Sequence, residues 1–294
     1  MRVAVVGATG TIGRPLVAAL AADGHAVAAL SRSGSAVDGA SSVAAADASD
    51  AAAMRSALAA AEVVYHLVHS LGQPDFETID RAAAHAVANA AALGGARQVV
   101  FLGGLGEESR DLSPHLRSRA ETAAILSAGP VPVTTLRAAM IVGAGSAAFK
   151  TILALVDRLP VMLCPRWVSV ETQPVALADV IAALVAVCGR EHSFGATYDV
   201  GGPEVMSYRT MMMRAARIRG RRPLLIEVPV LSPWLSSLWL HLITPVNAAV
   251  TRPLIEGLKI PTLAHDDAIW DLVPGARTEF DDAVRAALAA TTSA

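Results

Sequence analysis

Three glycines at residues 7, 10 and 13 constrain this chain more than any other feature. Residues 1–13 read MRVAVVGATGTIG. A short apolar strand, Val3–Val6, runs straight into Gly7, Gly10 and Gly13, and an Ala/Leu-rich helical stretch follows Arg14-Pro15. The spacing G-x-x-G-x-x-G between a strand and a helix is that of a βα turn that cradles phosphates. Gly7 lets the strand end in a tight turn, Gly10 lets the main chain approach a pyrophosphate, and Gly13 lets the helix pack close to the sheet. Main-chain N–H groups at the helix start and the aligned peptide dipoles attract the anion. The competing interpretation is a glycine-rich turn that holds nothing.

Strand and helix signals alternate through the first two thirds of the chain. Strands are expected at Val3–Val6, Ala26–Leu30, Ser42–Ala46, Val63–Leu67, Val99–Leu102 and Val133–Leu136. Between them the pattern predicts helices over Thr11–Ala22, Asp50–Ala60, Asp75–Leu93 and Ser113–Ser127. Nearly continuous apolar strands alternating with helices mean an α/β fold with a parallel sheet covered on both faces. Right-handed crossovers make it a Rossmann-type doubly wound sheet with the ligand at the carboxyl edge.

After Gly143 the rhythm changes. Helices are expected at Ala147–Leu159, Val175–Cys188 and Ser207–Arg219, and strands at Thr197–Val200 and Leu224–Val228. We therefore expect a nucleotide-binding core over 1–145. Residues 146–294 are expected to interleave the last sheet elements with a small, mainly helical lobe that covers substrate.

With 53% apolar and 17% charged residues among 294, a sizeable core is available. A net charge of −2 gives no basis for a nucleic-acid partner. Two cysteines, Cys164 and Cys188, cannot build a disulfide framework, which fits reduced thiols in the cytoplasm. The apolar run after Met1-Arg2 is too short for a secretory signal. Between Pro233 and Pro245 lies an apolar stretch about half as long as a bilayer-spanning helix, interrupted by His241. No spanning helix is expected; a cover over substrate, a dimer contact or a peripheral membrane contact stays open, and the chain is a monomer or homodimer.

The second strand ends Ser31-Arg32-Ser33, where proteins that bind the non-phosphorylated coenzyme carry an acidic residue for the ribose 2′-OH. A cation flanked by hydroxyls suits a 2′-phosphate instead, so NADP(H) is expected, with Arg14 as a second charge. The expected contacts are Gly7, Thr9, Gly10, Thr11, Ile12, Gly13 and Arg14 in the turn, with Arg32 and Ser33 after the second strand. Asp47 is expected at the adenine amino group or as a helix cap. The fourth-strand exit, with His66, Leu67 and Val68, should pass beside the ribose and bridging phosphates. The pair His66/His69 and the single residues His192 and His265 lack metal-ligand spacing, and no metal is expected.

Gly7–Gly13, the segment His66-Leu-Val-His-Ser70, Leu102-Gly-Gly-Leu105 and Leu136-Arg-Ala-Ala-Met-Ile-Val-Gly143 together resemble the short-chain dehydrogenase/reductase superfamily. The resemblance is to its atypical NAD(P)H-binding branch, related to NmrA-like and extended members, and Thr244-Pro-Val and Arg252-Pro-Leu resemble a bacterial subgroup. Active members of that superfamily use a Tyr-x-x-x-Lys pair after the fifth strand and a hydroxyl at that strand's end. Here Tyr65, Tyr198 and Tyr208 are followed four residues on by His69, Gly202 and Met212. At the corresponding place stands His115-Leu-Arg-Ser-Arg119, after a strand ending in Gly103-Gly104.

The resemblance implies His115 as general acid in place of Tyr and Arg119 as ribose ligand in place of Lys. The competing interpretation is that His115 caps or lines a helix start and Arg119 pairs with a carboxylate such as Glu121 or a neighbour. The expected activity is hydride transfer between NADP(H) and a carbonyl, quinone or activated double bond of a small apolar or aromatic substrate. The pocket is expected around Met140, Val142, Phe149, Leu163, Trp167, Trp234 and Trp239. The rival is a catalytically silent NADP(H)-binding redox sensor or assembly protein. A sugar-nucleotide epimerase or dehydratase is disfavoured by the missing Tyr acid/base.

Overall fold

The computed structural model describes residues 1–106, 112–228 and 259–292. The Thr244 and Arg252 segments, the apolar stretch 230–245 and both Trp234 and Trp239 lie outside the described residues.

The first half follows the expected alternation: β1 (Arg2–Val6), α1 (Gly13–Ala22), β2 (Ala26–Ser31), β3 (Ser42–Ala45), α2 (Ala51–Leu58), β4 (Val63–His66), α3 (Phe76–Leu93), β5 (Gln98–Gly104), α4 (Pro114–Ser127) and β6 (Val133–Ala138). The second half holds β7 (Ile141–Val142), α5 (Ala147–Arg158), β8 (Val161–Cys164), β9 (Glu171–Thr172), β10 (Val175–Ala176) and α6 (Leu177–Ala186). It continues with β11 (Thr197–Val200), β12 (Met206–Ser207), α7 (Tyr208–Ile218), β13 (Leu224–Glu227) and α8 (Phe280–Thr292). Side-chain caps set several helix starts. Asp50 accepts from Ala52 and Ala53 N–H, Ser113 from Leu116, Ser146 from Phe149 and Ser207 from Thr210.

Seven strands form one sheet in the order β11-β6-β5-β4-β1-β2-β3, and every pair in it is parallel. Strand order reverses between β1 and β4, which opens a crevice at their carboxyl ends. Leu16, Val17 and Leu20 of α1 and Val180, Ala183 and Leu184 of α6 cover one face, over Val5, Val100 and Leu136. Met54, Leu58, Ala83, Val87 and Leu126 of α2, α3 and α4 cover the other, over Val6, Val64 and Phe101. Strands buried on both faces explain the continuous apolar runs in the sequence.

The sheet is not completed within the first 145 residues. Its edge strand β11 arrives from the second half, where Thr197–Val200 pair with Thr135–Ala138. A third cluster of buried residues, including Phe149, Ile152, Met211, Met212, Phe280 and Val284, joins α5, α7 and α8 beside the sheet.

The structure corrects one reading of this half and adds two elements to it. Val175–Cys188 is not one helix, because Val175 N–H donates to Met140 O and Val175–Ala176 pair with β7 before α6 begins. Val161–Cys164 forms a strand because β13, some sixty residues on, supplies its parallel partner. Helix α8 was not anticipated; Phe280, Val284 and Ala287 anchor it in the third cluster. Among the described residues no helix is long and apolar enough to cross a membrane.

Candidate active site

The glycine turn has the geometry that its spacing implies. Gly7 adopts φ +95°, a region closed to most side chains, and the Gly7 and Ala8 N–H groups donate to Leu30 O at the end of β2. A Cβ on Gly13 would lie 2.3 Å from Gly7 O and 2.7 Å from Ala8 Cα, so only glycine lets α1 start against the turn. Gly10 is exposed, and a Cβ there would meet only Gly7 O. It would stand instead in the open space where a ligand reaches the main chain. Among the described residues the N–H groups of Thr11, Ile12 and Gly13 find no acceptor in the chain. These features fit a dinucleotide pyrophosphate. The β4 exit closes against the turn, with Leu67 C 3.1 Å from the position of a Gly7 Cβ and Val68 N 3.3 Å from it.

Other expected contacts lie at varying distances from that cradle. Thr11 Oγ1 donates to Gly145 O at 3.0 Å, tying the turn to the loop after β7. Thr9 offers its carbonyl to Arg14 Nε at 3.2 Å, which lays Arg14 along the turn. Arg32 and Ser33 are exposed at the end of β2, with the Ser33 hydroxyl 2.7 Å from that of Ser35. Asp47 Oδ1 accepts from both Ser49 N–H and Ser49 Oγ–H, and these bonds, followed by the charge of Arg32, hold its carboxyl below the usual range. Its local task is a turn, since the cap of α2 is Asp50.

His66 is not brought to the cradle. Its ring is fully buried beneath α3 and α4, stacked on Phe101 with centroids 6.1 Å apart. Among the described residues neither of its ring nitrogens has a partner. Burial, reinforced by the Arg119 charge, drives its pKa down to about 3, so it is neutral at pH 7.

A cavity of about 500 Å³ runs from Thr11 and Ile12 past the carboxyl ends of β5 and β6 to His69, His115 and Arg119. Leu102, Leu105, Ala138, Met140 and Ile141 make its walls largely apolar. The structure thus brings His115 and Arg119 together in the lining of this cavity, with His69. Arg119 is buried and stacks over the Phe101 ring at 4.4 Å. It donates to Val68 O at 3.1 Å and to Leu102 O, so its fork clamps the ends of β4 and β5. Glu121, the alternative partner, is paired with Arg81 instead. Burial, the neighbouring His69 and the Arg119 charge push His115 down to about 3. At neutral pH it is therefore a neutral imidazole, poorly suited to the general-acid role expected of it.

Beside these two residues the structure adds a group that the sequence reading left aside. Asp80, buried on α3, accepts from Ser70 N–H at 2.9 Å, from Ser118 Oγ–H at 3.3 Å and from His69 Nδ1 at 3.0 Å. The readable signal was an acidic residue on the Ala-rich inner face of a helix. Tyr208 also reaches the cavity, from the start of α7. Tyr65, by contrast, donates to Leu184 O in the core. Of the apolar residues expected around the cavity, Met140 lines it, Phe149 is fully buried beneath α7, Leu163 is exposed on β8, and Trp167 packs edge-on against Tyr208. Arg137 pairs with buried Asp199, which also accepts from His265, and so fastens segment 259–267 to the sheet edge. Among the described residues no three His, Cys, Asp or Glu side chains are grouped to hold a metal ion.

Comparison with known proteins agrees with this geometry. Residues 7–147 match the NAD(P)H-binding family. A stretch of 73 residues is 53% identical to a 3-diazoavenalumate denitrifying reductase from Streptomyces sp., and spans about a quarter (24%) of each chain. Among solved structures the whole chain is similar in fold to the epimerase Mth375 from Methanothermobacter thermautotrophicus (TM-score 0.77, 14% identity, 99% of this chain and 92% of that one). It is also similar to MoeE5 in complex with UDP-glucuronic acid and NAD (TM-score 0.76, 19% identity, 100% and 99%). A nucleoside-diphosphate-sugar epimerase from Staphylococcus aureus gives TM-score 0.75 at 15% identity over 97% and 100%. Residues 7–147 thus match the NAD(P)H-binding family, and the chain as a whole has the fold of these epimerase and MoeE5 structures.

Proposed function

We propose that this protein is an NADP(H)-dependent reductase of the atypical short-chain type, acting on a small apolar electrophile such as a quinone, an activated double bond or a carbonyl. The observation that carries this reading is the continuity of one apolar cavity from the glycine turn to Arg119 and His115. The coenzyme would supply the hydride. The N–H groups of Thr11 to Gly13 would hold its pyrophosphate, and exposed Arg32, with Ser33 beside it, its 2′-phosphate.

The apolar walls exclude water and orient the substrate. Arg119, anchored on two strand ends, presents a fixed positive charge to the anion that develops at the substrate. Neutral His115 offers a hydrogen-bonding nitrogen at the same end. An epimerase reading is disfavoured, because no tyrosine stands at the start of α4. The Streptomyces relative adds aryl diazo compounds to the electrophiles worth assaying.

The test is calorimetric titration with NADPH and NADH, followed by coenzyme oxidation over quinones, enones, aldehydes and an aryl diazo compound. NADPH should bind more tightly. Arg32→Ala should weaken NADPH binding by roughly 10- to 100-fold and leave NADH nearly unchanged, the range expected for a charge-assisted contact. Equal losses for both coenzymes would refute the 2′-phosphate role. Binding without oxidation of any acceptor would favour the silent NADP(H) sensor.

A further inference from the structure

Two imidazoles face the reacting end of the cavity, His69 from the β4 exit and His115 from the start of α4, with ring centroids 4.9 Å apart. Their surroundings differ. Among the described residues His115 Nδ1 is buried without a partner and no carboxylate hydrogen-bonds the ring. His69 Nδ1 lies 3.0 Å from Asp80 Oδ2, and its side chain, 28% exposed, lines the cavity.

Asp80 is held as an acceptor. A main-chain N–H, a serine hydroxyl and an imidazole N–H all converge on its two oxygens, and its side chain is 1% exposed. Those bonds fix the tautomer: an ionised carboxylate can only accept, so Nδ1 carries the proton and Nε2 keeps its lone pair.

We propose that His69 is the proton-transferring residue of this cavity, with Asp80 as the positioning residue that fixes its tautomer and steadies its imidazolium. This inference rests on the reductase reading. In the reductive direction, hydride reaches the electrophilic atom of the substrate and a bonding pair moves onto the neighbouring heteroatom. That heteroatom takes the proton from Nε2 of protonated His69. Neutral His69, still donating Nδ1–H to Asp80, then regains a proton from solvent. The division of labour is that of an oriented imidazole–carboxylate pair.

The charges around His69 support the assignment. Among the described residues, Asp80 on α3, His115 and Arg119 on α4 and His66 on β4 are the titratable and charged groups beside it. Burial lowers the His69 pKa, the Asp80 hydrogen bond opposes this, and Arg119 adds to the lowering. Asp80 in turn is raised by burial, but the His69 bond and charge, Arg119 and the Ser70 N–H outweigh it and hold the carboxyl below its usual range. The Asp80 carboxylate thus hydrogen-bonds His69 and favours its imidazolium, a bond that His115 does not make.

The experiment has one arm without coenzyme and one with it. In the coenzyme-free protein, ¹⁵N-edited NMR of the histidine rings should show His69 as the Nδ1–H tautomer. Asp80→Asn should mix the tautomers and move the His69 titration to lower pH. With NADPH and an accepted substrate, His69→Gln should lower kcat by about 10²- to 10³-fold with NADPH affinity retained. In Asp80→Asn the limb on which kcat falls with rising pH should move to lower pH, a readout that a merely structural carboxylate would leave in place. An Nε2–H tautomer in the wild type, or wild-type kcat in His69→Gln, overturns the assignment and leaves the reductase reading standing. Failure of the wild-type protein to bind NADPH overturns both.

Discussion

His66 provides the sharpest quantitative test of the described packing. Its ring is fully buried against Phe101, and both nitrogens lack partners among the described residues. Its pKa falls from 6.5 to about 3, through burial first and the Arg119 charge second. A folded-state pKa depressed below the unfolded one means that the unfolded chain takes up a proton which the native state refuses. The corresponding stability is fully present above pH 6.5 and is lost progressively as pH falls toward 3. Between about pH 8 and about pH 5 the loss for this single group is about 2 kcal/mol.

Replacing the imidazole by a group of similar size that does not titrate should remove this dependence. We therefore expect His66→Leu to be no less stable than wild type at about pH 8, since two unsatisfied buried nitrogens are removed. At about pH 5 it should be more stable by about 2 kcal/mol relative to that reference. Urea unfolding of both proteins at both pH values gives the double difference, in which the other titrating groups cancel. A stability difference that does not change between the two pH values would refute the buried, unpartnered histidine.

Two further outcomes follow from the geometry. Gly13→Ala places a Cβ 2.3 Å from Gly7 O, where neither main-chain segment can yield, so it should cost about 1–3 kcal/mol and abolish coenzyme binding; thermal melting with and without NADPH reads both. Asp199→Asn removes a buried carboxylate that pairs with Arg137 and accepts from His265, and should cost about 3–5 kcal/mol. Removing the exposed His265 ring should cost far less, and equal shifts in melting temperature would contradict this picture.

Much of the first half was legible because its elements are specified locally. The turn residues Gly7 and Gly13, the capping residues Asp50 and Ser113 and the apolar run of β1 each follow from steric or hydrogen-bonding needs of their own neighbourhood. The second half was less legible because its strands are two to four residues long and exist through partners far along the chain. Val161–Cys164 needs Leu224–Glu227, and Val175–Ala176 needs Ile141–Val142. The site divides in the same way. The cradle could be read as a motif, whereas Asp80 and His69, eleven residues apart, meet only because α3 folds back beneath the β4 exit.

The sequence by itself determined the parallel doubly wound sheet and its phosphate-sized opening, since glycine spacing and apolar periodicity act over a few residues and need no distant contact. Only the tertiary structure decided which histidine is entombed, which is left neutral and which is held by a carboxylate. Desolvation and charge pairing depend on what the rest of the chain places around a side chain, and His66, His69 and His115 are the same chemical group until that packing makes them different.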